Sequence, residues 1–141
     1  MSRTKTSRVN HHREPVVAAE VSAYCRDLER WPRSWMGLEK DLPPGEELLI
    51  QFRPFIEHLA LSSLSPKTIR RHVDNLWLLG GEIIRDLHYD PSLRKRPADR
   101  LLREAIHTDG GPLLHNGSEE EQRSFNSTCR KLHRFLTQSQ R

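Results

Sequence analysis

The feature that most limits what this chain can fold into is the apolar spacing of LSPKTIRRHVDNLWLLGGEIIRDL, residues 64–87. Ile69, Val73, Leu76, Gly80, Ile83 and Leu87 recur at steps of four and three, which lines one face of an α-helix and fits no strand. Ser65 is placed to cap that helix and Pro66 to open it, because a first-turn proline lacks an N–H that would have no partner anyway. Gly80 and Gly81 fall inside it and cost about 1 kcal/mol each relative to alanine. They either permit close helix packing or mark a break.

The same reading extends to both sides. A first helix is expected from Pro15, with Val17, Val21, Tyr24 and Leu28 on one face, ending before Pro32. WPRSWMGLEKDLPPG reads as a connector whose Trp31, Trp35 and Met36 pack back on the body. A second helix, from about Pro44 to Leu61, buries Leu48, Leu49, Phe52, Phe55, Ile56 and Leu59; Pro54 should kink it or split it near residue 53. After the turn DPSLRKRP, a short helix from Pro97 to about His107 turns Leu101, Leu102 and Ile106 inward, and TDGGPLLHNG is loop. Ser118 with Glu121 forms a capping box for a last helix to about Leu136, burying Phe125, Cys129, Leu132 and Phe135 or Leu136. No segment alternates like a strand, so the expectation is an all-α single bundle of about five helices.

A chain of 141 residues holds one such domain, assigned to residues 15–141, behind a basic tail, residues 1–14, without periodicity and expected to be disordered. The tail's Arg3, Lys5, Arg8 and Arg13 against Glu14 supply most of the formal charge of +4, leaving the body close to neutral. Charge is nevertheless segregated there. Glu39, Asp41, Glu46, Glu47 and Glu57 come early, whereas Arg123, Arg130, Lys131, Arg134 and Arg141 follow the last acid. A near-neutral body with that arrangement can still present a basic face to phosphate.

Catalytic and metal chemistry find no foothold. The eight histidines form no ligand-spaced pair, the glycine pairs at 80 and 110 follow no strand, and Glu119, Glu120 and Glu121 suit the dipole of a helix start. Cys25 and Cys129 lack metal-ligand spacing and read as small buried hydrophobes, and Asn126-Ser127-Thr128 has the form of a glycosylation acceptor without a secretory signal to give it meaning. No apolar run suits a membrane span and the N-terminus lacks a signal-peptide core, so the expectation is a cytoplasmic, non-enzymatic protein without cofactor, metal or membrane partner.

What remains is a set of cations where cations are locally unfavourable. Lys67, Arg70 and Arg71 sit in the first turns of a helix, whose N-terminus already carries partial positive charge, so a phosphate opposite them would explain their presence. With Thr68 they place donors beside free backbone N–H groups; on the last helix Arg130 and Arg134, four apart, share a polar face with Arg123, and Lys131 is a further candidate contact.

The order FIEHLALSSLSPKTIRRHVDNLWLLGGEII, an insert, then SFNSTCRKLHRFL resembles the helical core-binding domain, of SAM-like fold, of tyrosine recombinases and phage integrases, over residues 46–138. Ser65, Thr68 and Ile69 match that family's helix entry, and Phe135 with Leu136 match its closing pair. The resemblance implies a module related to mobile elements that clamps duplex DNA through helix starts and exposed faces, with Lys67, Thr68, Arg70 and Arg71 among the contacts. The family's catalytic domain has no counterpart in the chain, whose two tyrosines, Tyr24 and Tyr89, lie in the wrong context for strand cleavage. The competing reading is a protein-interaction module that meets another chain through Trp31, Trp35 or Trp77.

Overall fold

The computed structural model describes residues 20–139, so the tail at 1–14 and the start of the first helix at Pro15 lie outside the described residues. Residues 20–24 are helical (α1), followed by α2 (Trp31–Trp35), α3 (Leu42–Ala60), α4 (Pro66–Tyr89), α5 (Ala98–Ala105) and α6 (Glu119–Ser139). Short 3-10 turns at Leu28–Arg30, Glu39–Asp41 and Pro91–Lys95 join them, and no strand occurs among the described residues. The chain is an all-α helical bundle.

Helix α4 is its axis. The Ser65 hydroxyl accepts the Thr68 N–H at 3.2 Å and so caps the start, and Ile69, Val73, Leu76, Ile83 and Leu87 are all buried. It packs on α3, α6 and the turn at Pro91–Lys95, while α3 also meets α2 and α5. The glycine pair marks no break. A Cβ on Gly80 would lie 2.1 Å from Cζ2 of Trp35, so the bare backbone there gives the indole room to lie against the helix. Two hydrogen bonds fasten the contact: Trp35 Nε1 donates to the Trp77 carbonyl at 2.9 Å, and Trp77 Nε1 to Ser34 Oγ at 2.8 Å.

Two expectations need correction. The first helix ends before Pro32 as expected, but the chain leaves it at Cys25, short of Leu28, and Pro32 opens α2 within the stretch read as a connector. Pro32 sits in the first turn, where its missing N–H is harmless, and its neighbour Trp31 is buried against Trp35, ring centroids 5.9 Å apart. Part of the expected connector is therefore helix. Nor does Pro54 divide α3, which runs unbroken from Leu42 to Ala60. The carbonyl deprived of its partner belongs to Ile50, which is 65% exposed, so water can satisfy it while buried Phe52, Phe55 and Ile56 hold the helix down.

At the far end the capping box forms as expected, with the Ser118 N–H on Glu121 Oε1 at 2.9 Å and the Glu121 N–H on Ser118 Oγ at 3.1 Å. Phe125, Cys129, Leu132 and Leu136 are buried and Phe135 is half-buried. The loop before α6 is tied to it by side chains: Gln122 accepts the Leu114 N–H and donates to the Pro112 carbonyl, and Asn126 accepts the Gly111 N–H. Asn126 is thus half-buried and engaged, a poor position for a glycan.

Candidate nucleic-acid interface

The start of α4 and the body of α6 meet along a polar seam. Asn75 Nδ2 donates to the Ser124 carbonyl, to Ser124 Oγ (both 3.1 Å) and to Thr128 Oγ1 at 2.9 Å. His72 Nδ1 lies 2.7 Å from Thr128 Oγ1. His72, Asn75 and Thr128 are buried, and their mutual bonds answer the desolvation that burial imposes. Burial, and behind it the positive Arg71 and Lys131, pull the His72 imidazole down to about 4, so the ring is neutral near pH 7.

That pull locates two of the expected contacts. Arg71 and Lys131, from different helices, both act on one imidazole, and Arg71 Nη1 donates to Ser124 Oγ at 3.0 Å. Arg123 is exposed on α6 about 100° round the helix from Ser124. Arg71 and Lys131 are thereby brought to one two-helix face, with Arg123 round the side of α6 in line with Arg130 and Arg134, and no acid follows Glu121 on that helix.

The other expected residues spread from it. Lys67 is exposed at the α4 start. Thr68 is half-buried, and its hydroxyl accepts from Ser65 Oγ at 2.9 Å, so it serves the cap. With Pro66 lacking an N–H, the Thr68 N–H on Ser65 Oγ and the Ile69 N–H on the Ser65 carbonyl, only the Lys67 N–H of the first turn is left without a partner among the described residues. The backbone amides at this end therefore offer little to an anion, and the side chains are the donors left there. Arg70 turns toward α1, its guanidinium carbon 5.6 Å from the centre of the Tyr24 ring. Arg130 reaches the loop, donating to the Asp109 carbonyl at 3.3 Å, and Arg134 is exposed beside Thr108 and His133.

A second polar cluster escaped sequence reading. Asp41, fully buried, accepts the Gly37 and Leu38 N–H groups at 2.8 and 2.9 Å, Arg94 Nη2 at 2.6 Å and His88 Nε2 at 2.7 Å. Burial by itself would raise its carboxyl, but the Arg94 guanidinium, the two backbone N–H groups and His88 together hold it well below the usual carboxylate range. It clamps the start of α3 to the end of α4. Asp41 had signalled only early negative charge, since its partners lie 47 and 53 residues away.

Burial pushes the Cys25 and Cys129 thiols up to about 12, with Asp27 adding to the effect on Cys25, so neither is a ready nucleophile. Among the described residues, no group of three His, Cys, Asp or Glu side chains is placed to hold a metal ion, and no helix is long and apolar enough to cross a membrane. No family model, no curated protein and no solved structure matches the chain, so its resemblance to recombinase core-binding domains rests on the residues quoted for it.

Proposed function

We propose that the α4–α6 face binds the phosphates of duplex DNA, as a non-enzymatic module similar to an integrase core-binding domain of SAM-like fold and related to mobile elements. The observation that carries this reading is the joint placement of Arg71 and Lys131 beside His72, with Arg71 bonded across to Ser124. Two helices share one basic surface whose shape is held by a buried seam rather than by the cations themselves. Arg71 has donors beyond the one given to Ser124, and a planar guanidinium suits two phosphate oxygens at once. Arg123 and Lys131 have no ion-pair partner among the described residues. Arg123, Arg130 and Arg134 would extend the track along α6, and Lys67 would meet the strand at the α4 start.

The test is a duplex titration at two salt concentrations with Arg71→Gln, Arg123→Gln and Lys131→Gln combined. Each phosphate contact removed lessens the salt exponent by about one, so the triple variant should bind more weakly and lose up to about three from its exponent. Unchanged affinity and exponent would withdraw the assignment.

A further inference from the structure

On the flank of α4 facing away from α6, a cleft of about 370 Å³ opens between α1, α2 and α4, within the roughly 300–1,000 Å³ usual for small-ligand sites. Three aromatic rings, Tyr24, Trp31 and Trp77, wall it, and two carboxylates, Asp27 and Asp74, stand in its lining. No basic residue lines it. Neither carboxylate has an ion-pair partner among the described residues. The nearby Arg70 stacks on Tyr24 instead, an arrangement that shows a guanidinium suits this ring. Burial, and behind it the Asp27 charge, push the Asp74 carboxyl up from its usual range, as expected where a cation is wanted and absent.

The cleft does not end there. It shares Trp77 and Leu78 with a groove of about 550 Å³ that passes Trp35 and Met36 and reaches Tyr89. Trp77 is 40% exposed and Tyr89 73%, and because the Trp77 N–H is already bonded to Ser34 the indole presents an apolar surface to solvent. A free small cation would satisfy the two carboxylates and leave the exposed aromatic side chains of this extension bare. A peptide with a basic side chain and apolar neighbours would cover both.

We propose that this face docks a basic peptide segment of a partner protein, with one arginine or lysine entering between Asp27 and Asp74 against the aromatic walls and its apolar neighbours lying along the Trp77–Tyr89 groove. Charge complementarity favours this occupant: an acidic, aromatic cleft without an internal cation continues into a groove whose Trp35, Met36, Trp77 and Tyr89 offer apolar contact beside the polar Glu82, Arg85 and His88. It does not depend on the DNA reading, because the basic face lies on the other flank of α4.

The experiment uses the full chain and a fluorescein-labelled peptide carrying one arginine between leucines, compared with the same peptide carrying citrulline, which keeps the shape and loses the charge. Fluorescence anisotropy should show saturable binding that is about tenfold weaker for the citrulline peptide and, with the arginine peptide, about tenfold weaker for the Asp27→Asn/Asp74→Asn variant, as expected for a charge-assisted contact in a half-enclosed site. Arg71→Gln should leave peptide binding unchanged. Both aspartates are exposed at the residue level, so the variant should melt no lower than the parent. Equal binding of the two peptides, or absence of saturable binding, would overturn the proposal. So would self-association of the peptide-free chain that Trp77→Ala abolishes, since the face would then belong to a second copy.

Discussion

His72 should make this fold sensitive to mild acid, and replacing it should remove that sensitivity. The residue is 4% exposed, bonded to Thr128, and faces two positive side chains, so its folded-state pKa is about 4. In the unfolded chain it returns to the ordinary histidine value of 6.5. Between those values the unfolded state holds a proton that the folded state refuses, so stability is full above the unfolded value and falls as pH drops toward the folded one. Each pH unit in the window costs about 1.4 kcal/mol, or roughly 3 kcal/mol in all, a large share of the roughly 5–15 kcal/mol typical of a domain. His72→Asn can keep a partner for Thr128 but carries no proton to exchange. Its smaller side chain should cost on the order of 1–3 kcal/mol near neutrality. Urea unfolding of both chains at about pH 7.5 and about pH 4.5 reads the difference. The parent should lose about 2.5 kcal/mol more than the variant on acidification to that pH; the raised carboxyls of Asp74 and Asp86 act in both chains and cancel. Equal losses would refute the neutral buried imidazole.

Gly80→Ala should destabilise by about 1–2 kcal/mol: the new methyl, placed 2.1 Å from the Trp35 ring, brings an overpacking cost that outweighs the roughly 1 kcal/mol of helix propensity gained. A melting temperature above the parent's would show that the indole does not lie on that backbone. Asp41→Asn should cost about 2–4 kcal/mol near neutral pH by leaving Arg94 half-enclosed without its carboxylate. Because the Asp41 pKa is depressed on folding, its contribution is present above the usual carboxylate range and lost as pH falls through the folded value, so the penalty of the substitution should shrink in strong acid. A penalty independent of pH would contradict the clamp.

The elements legible in the sequence were those whose causes are local. The period of α4, its Ser65–Pro66 start and the Ser118–Glu121 box each depend on residues a few positions apart, and all three are present. Where the cause is a distant partner, local reading fails. The stretch from Trp31 reads as a connector because its helical turn is set by where Trp31 and Trp35 pack, and nothing nearby discloses that Trp35 lies against Gly80 and bonds to Trp77. Pro54 looked like a break because the exposure of Ile50, on which its tolerance depends, is decided by tertiary packing. The candidate site divides in the same way. The cations of α4 and α6 could be listed, but consecutive residues on a helix point about 100° apart. Which flank meets α6 is settled only by the packing: Arg71 reaches Ser124, whereas Arg70 turns to Tyr24. The seam of Ser124 and Thr128 against His72 and Asn75 has no local signal, because its partners lie 49 to 56 residues apart.

The central claim is that a basic surface on two helices meets phosphate, and its most direct test is the salt dependence of duplex binding by the full chain. Contact with about four to six phosphates predicts saturable binding whose affinity falls as roughly the fourth to fifth power of salt concentration. Binding that barely responds to salt, or no saturable binding at the lowest salt, would contradict the account and leave the α4–α6 cations as a solvated surface.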